Sequence, residues 1–403
     1  MSLFYTLAVL SAALSPVYAQ KYTLTQDLAG NNFLPAFKYN ASVEDFQNGG
    51  NVQFLSQSAA VQQKLTYVDD NNRIIIKVDN TTNGAGNSAF GRSSVYLMGN
   101  NMVNIGSLIV LDANHIPFGC SVWPSFFTQG QKWPDQGEMD IIENVNLASN
   151  NQFSLHVGDD NCNLPATSSS NQTGKITNGN CTVVPPLDIN TGCVAAETKP
   201  NSFGTDFASA GGGVFAALWD TNGIAMWFFS RPSVPSNIGG TATPDPTTWG
   251  QPSAWFPASA CDPTKAFGPQ ILTLYIDVCG QFADAPGLWD PSPCKAKADQ
   301  CFQLVQDPTN YDEAYWEINY LRVFTQNGGT SSTPSSSGST SNSNSNSAPA
   351  SAPAPASAST SATDSAGAPN PSTTGSKGAA TRSIPTSWFF TSALGLVALF
   401  WVF

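Results

Sequence analysis

The chain has 403 residues, of which 41% are hydrophobic and 11% aromatic, enough to bury a sizeable core. Only 11% of the residues are charged, and the formal net charge of -12 leaves no basic surface to hold phosphates, so nucleic acid is excluded as an expected partner. Lysine, arginine and glutamate are scarce while glycine, asparagine and phenylalanine are plentiful, which favours strands and turns over helices. We therefore predict an all-β protein.

The chain begins with an apolar segment that is too short to span a bilayer. Residues 1–19 read MSLFYTLAVLSAALSPVYA and end on a small alanine, which is typical of a cleaved secretory signal, so the mature chain would start near Gln20. Eight cysteines follow, an even number that suits disulfide bonds in an oxidising compartment, although the sequence leaves their pairing open. Secretion would also allow N-glycans at the sequons of Asn40, Asn80, Asn171 and Asn180.

Short apolar runs separated by turn residues fill the next three hundred or so positions. We find no internal repeat and no long helical pattern, and such strands need a second sheet to bury their inner face. The simplest architecture is one β-sandwich over residues 20–326, because no linker-like break divides the region into two smaller domains. Six runs predict strands: RIIIKVD, SLIVLDA, GVFAALWD, IAMWFFS, QILTLYIDV and YWEINYLRVF.

The stretch GEMDIIE places three carboxylates, Glu138, Asp140 and Glu143, in an otherwise apolar segment. Side chains alternate along a strand, so Glu138 and Asp140 share one face while regular alternation puts Glu143 on the other. A β-bulge at the two isoleucines would return Glu143 to the face of the other acids. A helix would not, because residues five apart diverge by about 140° around its axis. We predict a bulged strand on which all three acids converge.

Converging carboxylates suit the cleavage of glycosidic bonds. A retaining glycosidase holds a nucleophilic carboxylate and an acid/base carboxyl group roughly 5 to 5.5 Å apart. Two acids this close cannot both ionise easily, which raises at least one pKa and keeps a proton available for donation. The alternative interpretation is a solvated polar strand face or a cation site, although the segment lacks the ligand spacing of an EF-hand loop.

GEMDIIE, with GCSVWPSFFTQGQKWPDQ before it and SLHVG after it, resembles the active-site strand of glycoside hydrolase family 16. The extra residue before the third acid is associated with laminarinase-like members, and the fungal endo-β-1,3(4)-glucanases are the most similar group. The resemblance covers about residues 30–325. It implies a concanavalin A-like β-jelly-roll sandwich with a concave glycan cleft. It also implies that no metal or organic cofactor takes part in the chemistry, although some relatives hold a structural calcium.

The same resemblance assigns roles to the three acids. Glu138 matches the nucleophile, Asp140 the assisting carboxylate and Glu143 the general acid/base of a double-displacement mechanism that retains the anomeric configuration. Phe127 stands where many relatives have tryptophan, which puts the width of one subsite in doubt.

Five further side chains are candidates for substrate binding. Trp123 and Trp133 flank the motif, and indole can stack on the apolar face of a sugar, with core packing as the alternative for each. His156 could hydrogen-bond a catalytic carboxylate or a sugar hydroxyl, or be structural. Arg92 could donate a fork of hydrogen bonds to sugar hydroxyls, or form an ordinary ion pair. Trp255 is a cleft candidate on a looser resemblance.

The composition changes abruptly near the C-terminus. Residues 327–387 are rich in serine, threonine, proline and alanine and lack aromatic side chains, so we predict a disordered spacer, either an O-glycosylated stalk or a plain linker. Residues 388–403 are apolar and no basic residue follows them. With small residues near 375–380, this tail matches a glycosylphosphatidylinositol (GPI) attachment signal, and a true membrane span is the alternative.

We expect a secreted, GPI-anchored monomer that acts outside the cell at the plasma membrane or cell wall. Its expected activity is hydrolysis of β-1,3 or mixed β-1,3/1,4-glucan as an endo-β-glucanase. A wall-glucan transglycosylase is the first alternative, since water and a sugar hydroxyl compete for the same intermediate. Anchored fungal transglycosylases of this family generally have the shorter motif, which favours hydrolysis. The second alternative is a noncatalytic glycan-binding wall protein, which the intact acids disfavour.

Overall fold

The structure, a computed structural model, describes residues 22–326 except 43, 46, 159–160, 166–169, 184–190 and 240–242. The predicted secretory signal, the Ser/Thr/Pro-rich spacer and the apolar tail lie outside these residues, and their assignments stay predictions. Within the described part, no helix has the length and hydropathy needed to cross a membrane.

The described residues form two large antiparallel sheets and one short parallel pair. The outer sheet contains β1 (Tyr22–Ala29), β4 (Thr66–Val68), β5 (Ile74–Lys77), β8 (Ser107–His115), β14 (Gly213–Asp220), β15 (Gly223–Ser230), β16 (Ala254–Pro257) and β18 (Tyr315–Gln326). The inner sheet contains β2 (Phe37–Tyr39), β7 (Tyr96–Val103), β9 (Val122–Gly130), β10 (Glu138–Glu143), β11 (Gln152–His156), β12 (Lys175–Asn178), β13 (Cys193–Ala196) and β17 (Gln270–Val278). The parallel pair is β3 (Val52–Phe54) and β6 (Arg92–Ser94).

The helices of the described chain are short. The α-helices are α1 (Gln57–Gln62), α2 (Gly204–Ser209), α3 (Pro263–Ala266), α4 (Gly280–Ala283), α5 (Pro286–Trp289) and α6 (Phe302–Val305). Single 3-10 turns occur at Gly30–Asn32, Leu34–Ala36, Arg231–Ser233, Pro246–Thr248, Pro293–Ala296 and Pro308–Tyr311. Each of the six predicted strand runs forms a strand, and the all-β prediction is confirmed.

Strand order brings distant parts of the sequence together. The inner sheet runs β12-β13-β11-β10-β9-β17-β7-β2, which puts β10 in its middle between β11 and β9. The outer sheet runs β16-β15-β14-β8-β18-β5-β4, and β1 pairs with β18 so that Tyr22 lies opposite Gln326. Because β10 is central, both of its neighbours fix where its side chains point.

The main core lies between the two sheets, where alternate strand residues are almost fully buried. Ile109 and Leu111 of β8 meet Phe126 of β9 and Leu274 of β17 there, each at most 1% exposed. Burying a side chain of this size stabilises the fold by about 1.5 to 3 kcal/mol. A second apolar cluster, which includes Trp227, covers the opposite face of the outer sheet.

All eight cysteines form disulfides, as predicted, and the structure supplies the pairing that the sequence left open. Two of the bonds attach the helical segment of residues 280–305 to the inner sheet near the ends of β9 and β17. The four pairs are Cys120–Cys294, Cys162–Cys261, Cys181–Cys193 and Cys279–Cys301.

Candidate active site

Strand β10 carries the predicted bulge. Its register against both neighbouring strands shifts between Asp140 and Glu143. Ile141 and Ile142 are both buried in the core between the sheets, at 1% and 0% exposed. Since one strand position is added there, Glu143 returns to the face that carries Glu138 and Asp140. The bulge prediction is confirmed, and all three carboxylates lie on the face of the inner sheet that is turned away from the outer sheet, here termed the open face.

Asp140 lies at the centre of this group and is only 2% exposed. Ser154 of β11 donates a hydrogen bond to Asp140 Oδ2 at 2.7 Å, and Nε2 of His156 lies 3.2 Å from the same oxygen. Burial alone would lower the pKa of His156, but its hydrogen bond to Asp140 and the negative charges of Asp140 and Glu143 raise it overall. His156 therefore contacts an acid of the motif, one of the two roles that the sequence suggested for it.

Glu143 is 9% exposed and receives two defined contacts. The indole Nε1 of Trp123 donates a hydrogen bond to its Oε1 at 2.9 Å. Trp123 is itself 8% exposed and packs edge-on against Tyr275 and Phe282. These contacts place Trp123 as a hydrogen-bond donor to the acid, rather than as the open sugar platform that the sequence suggested. In the second contact, the backbone N–H of Glu143 donates a hydrogen bond to Oδ1 of Asn151 at 3.0 Å.

Burial and mutual repulsion raise the pKa of both glutamates. Burial is the larger cause for Glu143, followed by the charge of Asp140, and together they raise its pKa to about 8 although the Trp123 N–H opposes the rise. The same two causes, in the same order, raise the pKa of Glu138 well above its ordinary value. The raised pKa of Glu143 favours its protonated form near neutral pH, the form that a proton donor needs.

Two aromatic side chains flank Glu138 and Asp140. Trp133 is half-buried, and its indole N–H approaches Glu138 closely enough to counter part of the rise in the pKa of that carboxyl, without a well-aligned hydrogen bond. Phe127 of β9 lies opposite Asp140 and packs edge-on against Tyr275 with ring centres 5.5 Å apart. A partly exposed indole beside the acids fits the predicted sugar platform at Trp133.

Comparison with known proteins decides the family. The profile of XgeA-like catalytic domains of glycoside hydrolase family 16 matches residues 37–324. The chain belongs to glycoside hydrolase family 16. An endo-1,3(4)-beta-glucanase of Arthroderma benhamiae is 36% identical to it over 333 residues, which are 81% of this chain and 70% of that protein. The resemblance seen in the sequence and the enzyme class, a glycoside hydrolase, are thereby confirmed.

Solved structures of family 16 members share this fold. Laminarinase 16A of Phanerochaete chrysosporium, determined with 6-O-glucosyl-laminaritriose in its donor and acceptor sites, has a TM-score of 0.69 at 33% identity and covers 76% of this chain and 100% of its own. An elongating family 16 beta-1,3-glucosyltransferase has a TM-score of 0.67 at 34% identity and covers 75% of this chain and 100% of its own. The predicted β-jelly roll is confirmed.

The cleft assignment of Arg92 is wrong for this family 16 domain. Arg92 is 0% exposed, and its guanidinium donates to the carbonyl oxygens of Val305 at 3.0 Å and Thr82 at 2.6 Å. It also stacks over Tyr311 at 4.9 Å from the ring centre. Arg92 belongs to the short parallel pair and not to the inner sheet. Its side chain links the segment at Thr82 to the end of α6 and cannot reach a sugar on the open face.

The cleft assignment of Trp255 is also wrong. Trp255 lies on β16, the edge strand of the outer sheet, where it pairs with Ala225. Its side chain packs against the apolar cluster on the far side of that sheet, which includes Trp227 and Trp249. The prediction rested on a loose resemblance, and local sequence does not reveal which sheet a strand joins.

Sequence reasoning missed two residues that support the acids. Ser154 stands two positions before His156, so strand alternation would have placed it on the same face, within reach of Asp140. Asn151 precedes β11 and contacts the bulge through its side-chain amide. No local sequence pattern predicts this role. Both are 1% exposed, and buried polar groups in proteins are nearly always hydrogen-bonded.

Among the residues that the structure describes, one group could hold a metal ion. Single donor atoms of Glu138, Asp140 and His156 lie within 4.8 Å of one another. Calcium prefers sites built from oxygen ligands alone, so this group does not resemble the structural calcium that the resemblance allowed for. A cation there would also neutralise the carboxylates of the open face, and we assign these side chains to one hydrogen-bonded acid cluster.

Proposed function

We propose that this protein is an endo-1,3(4)-β-glucanase that acts by a retaining double displacement. The observation that carries the proposal is the bulge of β10, which puts both glutamates and Asp140 on one open face. Support also comes from the similar laminarinase 16A, whose structure holds 6-O-glucosyl-laminaritriose in donor and acceptor sites. A β-glucan chain is therefore the substrate that we assign to the open face.

In the first step, a Glu138 oxygen bonds to the anomeric carbon while the glycosidic C–O bond breaks and Glu143 gives its proton to the leaving oxygen. In the second step, water attacks the anomeric carbon, Glu143 takes the proton of that water, and the ester bond to Glu138 breaks. The mechanism requires one proton for the pair, held by Glu143, and the negative charge on Glu138. The product keeps the configuration of the substrate.

The full-length secreted protein and its Glu138→Gln, Glu143→Gln and Asp140→Asn variants would be assayed on laminarin, lichenan and cellulose. We expect soluble oligosaccharides from laminarin or lichenan. Proton NMR should show that the β-anomer is released first. Removing the proton donor should cost about 100- to 10,000-fold in rate on glucan. Glu138→Gln should nearly abolish turnover, and Asp140→Asn should impair it less. Initial release of the α-anomer, or glucan binding without any cleavage by the wild-type protein, would overturn the proposal.

A transglycosylase is the second candidate, because an elongating family 16 beta-1,3-glucosyltransferase is similar over 75% of this chain. The glycosyl-enzyme intermediate can pass to a sugar hydroxyl instead of water. Incubation with laminari-oligosaccharides at rising concentration separates the two activities. Products longer than the starting oligosaccharide would identify transfer, whereas products that are only shorter would identify hydrolysis.

We also propose that the protein is secreted as a monomer and held at the cell surface by a GPI anchor. The support is the sequence alone, namely the apolar leader at 1–19, the small residues near 375–380 and the apolar tail at 388–403. Release of the protein from intact cells by a phosphatidylinositol-specific phospholipase is the expected result. A mature protein that retains the apolar tail, as detected by mass spectrometry, would contradict the anchor.

A further inference from the structure

The side chain of Asn151 bridges the two ends of the β10 bulge. Its Oδ1 accepts a hydrogen bond from the backbone N–H of Glu143 at 3.0 Å, and its Nδ2 donates to the carbonyl oxygen of Ile141 at 3.0 Å. A bulge disrupts the regular ladder of hydrogen bonds at the added residue. One buried amide therefore supplies partners for two backbone groups at the point where the strand departs from regular pairing.

Asn151 is itself held on both sides of its backbone. Its N–H donates to the Ser202 hydroxyl at 2.9 Å, and its carbonyl accepts from the N–H of Glu197 at 2.9 Å. Both Asn151 and Ser202 are at most 1% exposed. The amide therefore meets the bulge from a fixed position, and its two bonds define the local path of the chain from Ile141 to Glu143.

We propose that Asn151 is a positioning residue that fixes the orientation of the acid Glu143 through the backbone of the bulge. Without the amide, the buried N–H of Glu143 and the buried carbonyl of Ile141 lose their hydrogen-bond partners. The segment then lowers its free energy by shifting toward an arrangement in which both groups are paired again. Any such shift moves Glu143, because one of the two bonds is made to its own N–H. The inference rests on the proposed role of Glu143 as proton donor to the leaving oxygen.

A different buried asparagine provides a matched control. Asn146 also links two backbone groups through its amide, accepting from the N–H of Ser121 at 2.8 Å and donating to the carbonyl of Ala283 at 2.8 Å. It is 3% exposed, but neither of its side-chain partners lies on β10. Truncation of Asn146 thus removes a comparable pair of hydrogen bonds without touching the backbone of Glu143. Because Asn146 has a φ of 59°, alanine there also adds backbone strain, so the control loses at least as much stability.

The test compares two substrates that differ in their need for a proton. Wild-type protein, Asn151→Ala, Asn146→Ala and Glu143→Gln would be assayed for kcat/KM on a laminari-oligosaccharide and on 2,4-dinitrophenyl β-laminaribioside. The dinitrophenolate leaves without protonation, so its release does not need the Glu143 proton. A misplacement of about 1 Å can cost on the order of 100-fold, and we expect a loss of that size for Asn151→Ala on the oligosaccharide. On the dinitrophenyl glycoside we expect a far smaller loss, the same split as in Glu143→Gln.

Each other outcome has a distinct meaning. An equal loss on both substrates in Asn151→Ala, as expected of Asn146→Ala, would show that the amide only stabilises the fold and would overturn the inference. Absence of the split in Glu143→Gln would instead overturn the proposed role of Glu143. If Asn151→Ala does not fold, Asn151→Ser keeps a polar group that cannot bridge both partners, and the same split between substrates is required of it.

Discussion

Asp140 is the side chain whose charge acts on both glutamates. It is buried, it accepts a hydrogen bond from Ser154 and it contacts His156, so its position is fixed. After burial, its charge is the next cause of the raised pKa of both Glu138 and Glu143. A residue that neither attacks nor donates in the proposed mechanism thus helps to determine the protonation of the two glutamates.

The proton on Glu143 gives a pH prediction. Its pKa is raised to about 8 and the proposed mechanism needs its protonated form, so kcat/KM on glucan should fall as the pH rises through about 8. Asp140→Asn removes the largest charge contribution to the rise, so the alkaline limb of the pH profile should move to lower pH. Asp220→Asn, at the end of β14 in the outer sheet, makes the same change in net charge and should leave the limb in place. An unmoved limb in Asp140→Asn would contradict this account.

At the scale of single residues, the sequence predicted best those side chains whose residue type and spacing indicate the same chemistry. The three acids could be predicted because strand alternation and a single added residue determine their faces. Arg92 and Trp255 could not be placed, since a strand run does not specify its sheet. Asn151 was missed because its role depends on where the start of β11 lies relative to the bulge, a relation between two strands that local pattern does not contain.

At the scale of elements, β10 satisfies two requirements with six residues. Its acids must face the open side, while enough apolar side chains must face the core to hold a central strand. The bulge meets both, because Ile141 and Ile142 both reach the core where regular alternation would bury only one. Apolar runs predicted the strands correctly because β-branched and aromatic residues suit a half-buried pleated surface.

The double burial of the isoleucines can be tested by truncation. Ile141→Ala and Ile142→Ala should each lower the free energy of unfolding by about 2 to 5 kcal/mol, the usual cost of emptying a core site. Ile105→Ala is the control, because Ile105 is 38% exposed and surface changes usually cost less than about 0.5 kcal/mol. Urea denaturation measures all three. If either β10 variant behaved like Ile105→Ala, one isoleucine would lie outside the core.

At the scale of the whole molecule, disulfides connect parts of the chain that are far apart in sequence. Cys120–Cys294 joins residues separated by 174 positions, whereas Cys181–Cys193 spans only 12. In the chain-entropy account, a crosslink stabilises mainly by restricting the unfolded chain, and more so when the loop that it closes is longer. The jelly roll relies on such long-range connections because neighbouring strands in its sheets are often distant in sequence.

The two bonds should therefore differ in what their removal costs. Replacing Cys120 and Cys294 together by serine should lower the free energy of unfolding by about 2 kcal/mol more than replacing Cys181 and Cys193, from the ratio of loop lengths. Reversible denaturation of the two double variants under identical conditions measures the difference. Equal losses would show that local packing around each bond, rather than loop length, sets its contribution.

The pairing of Tyr22 with Gln326 bears on how this domain can be attached to a solid support. Both residues lie side by side in the outer sheet, whereas the acids lie on the inner sheet. A tag, a fused partner or a bead coupled at either end of the domain is therefore joined to the sheet that does not carry the acids. The domain can then be immobilised through either of its ends, while the three acids of β10 stay accessible to an insoluble polymer.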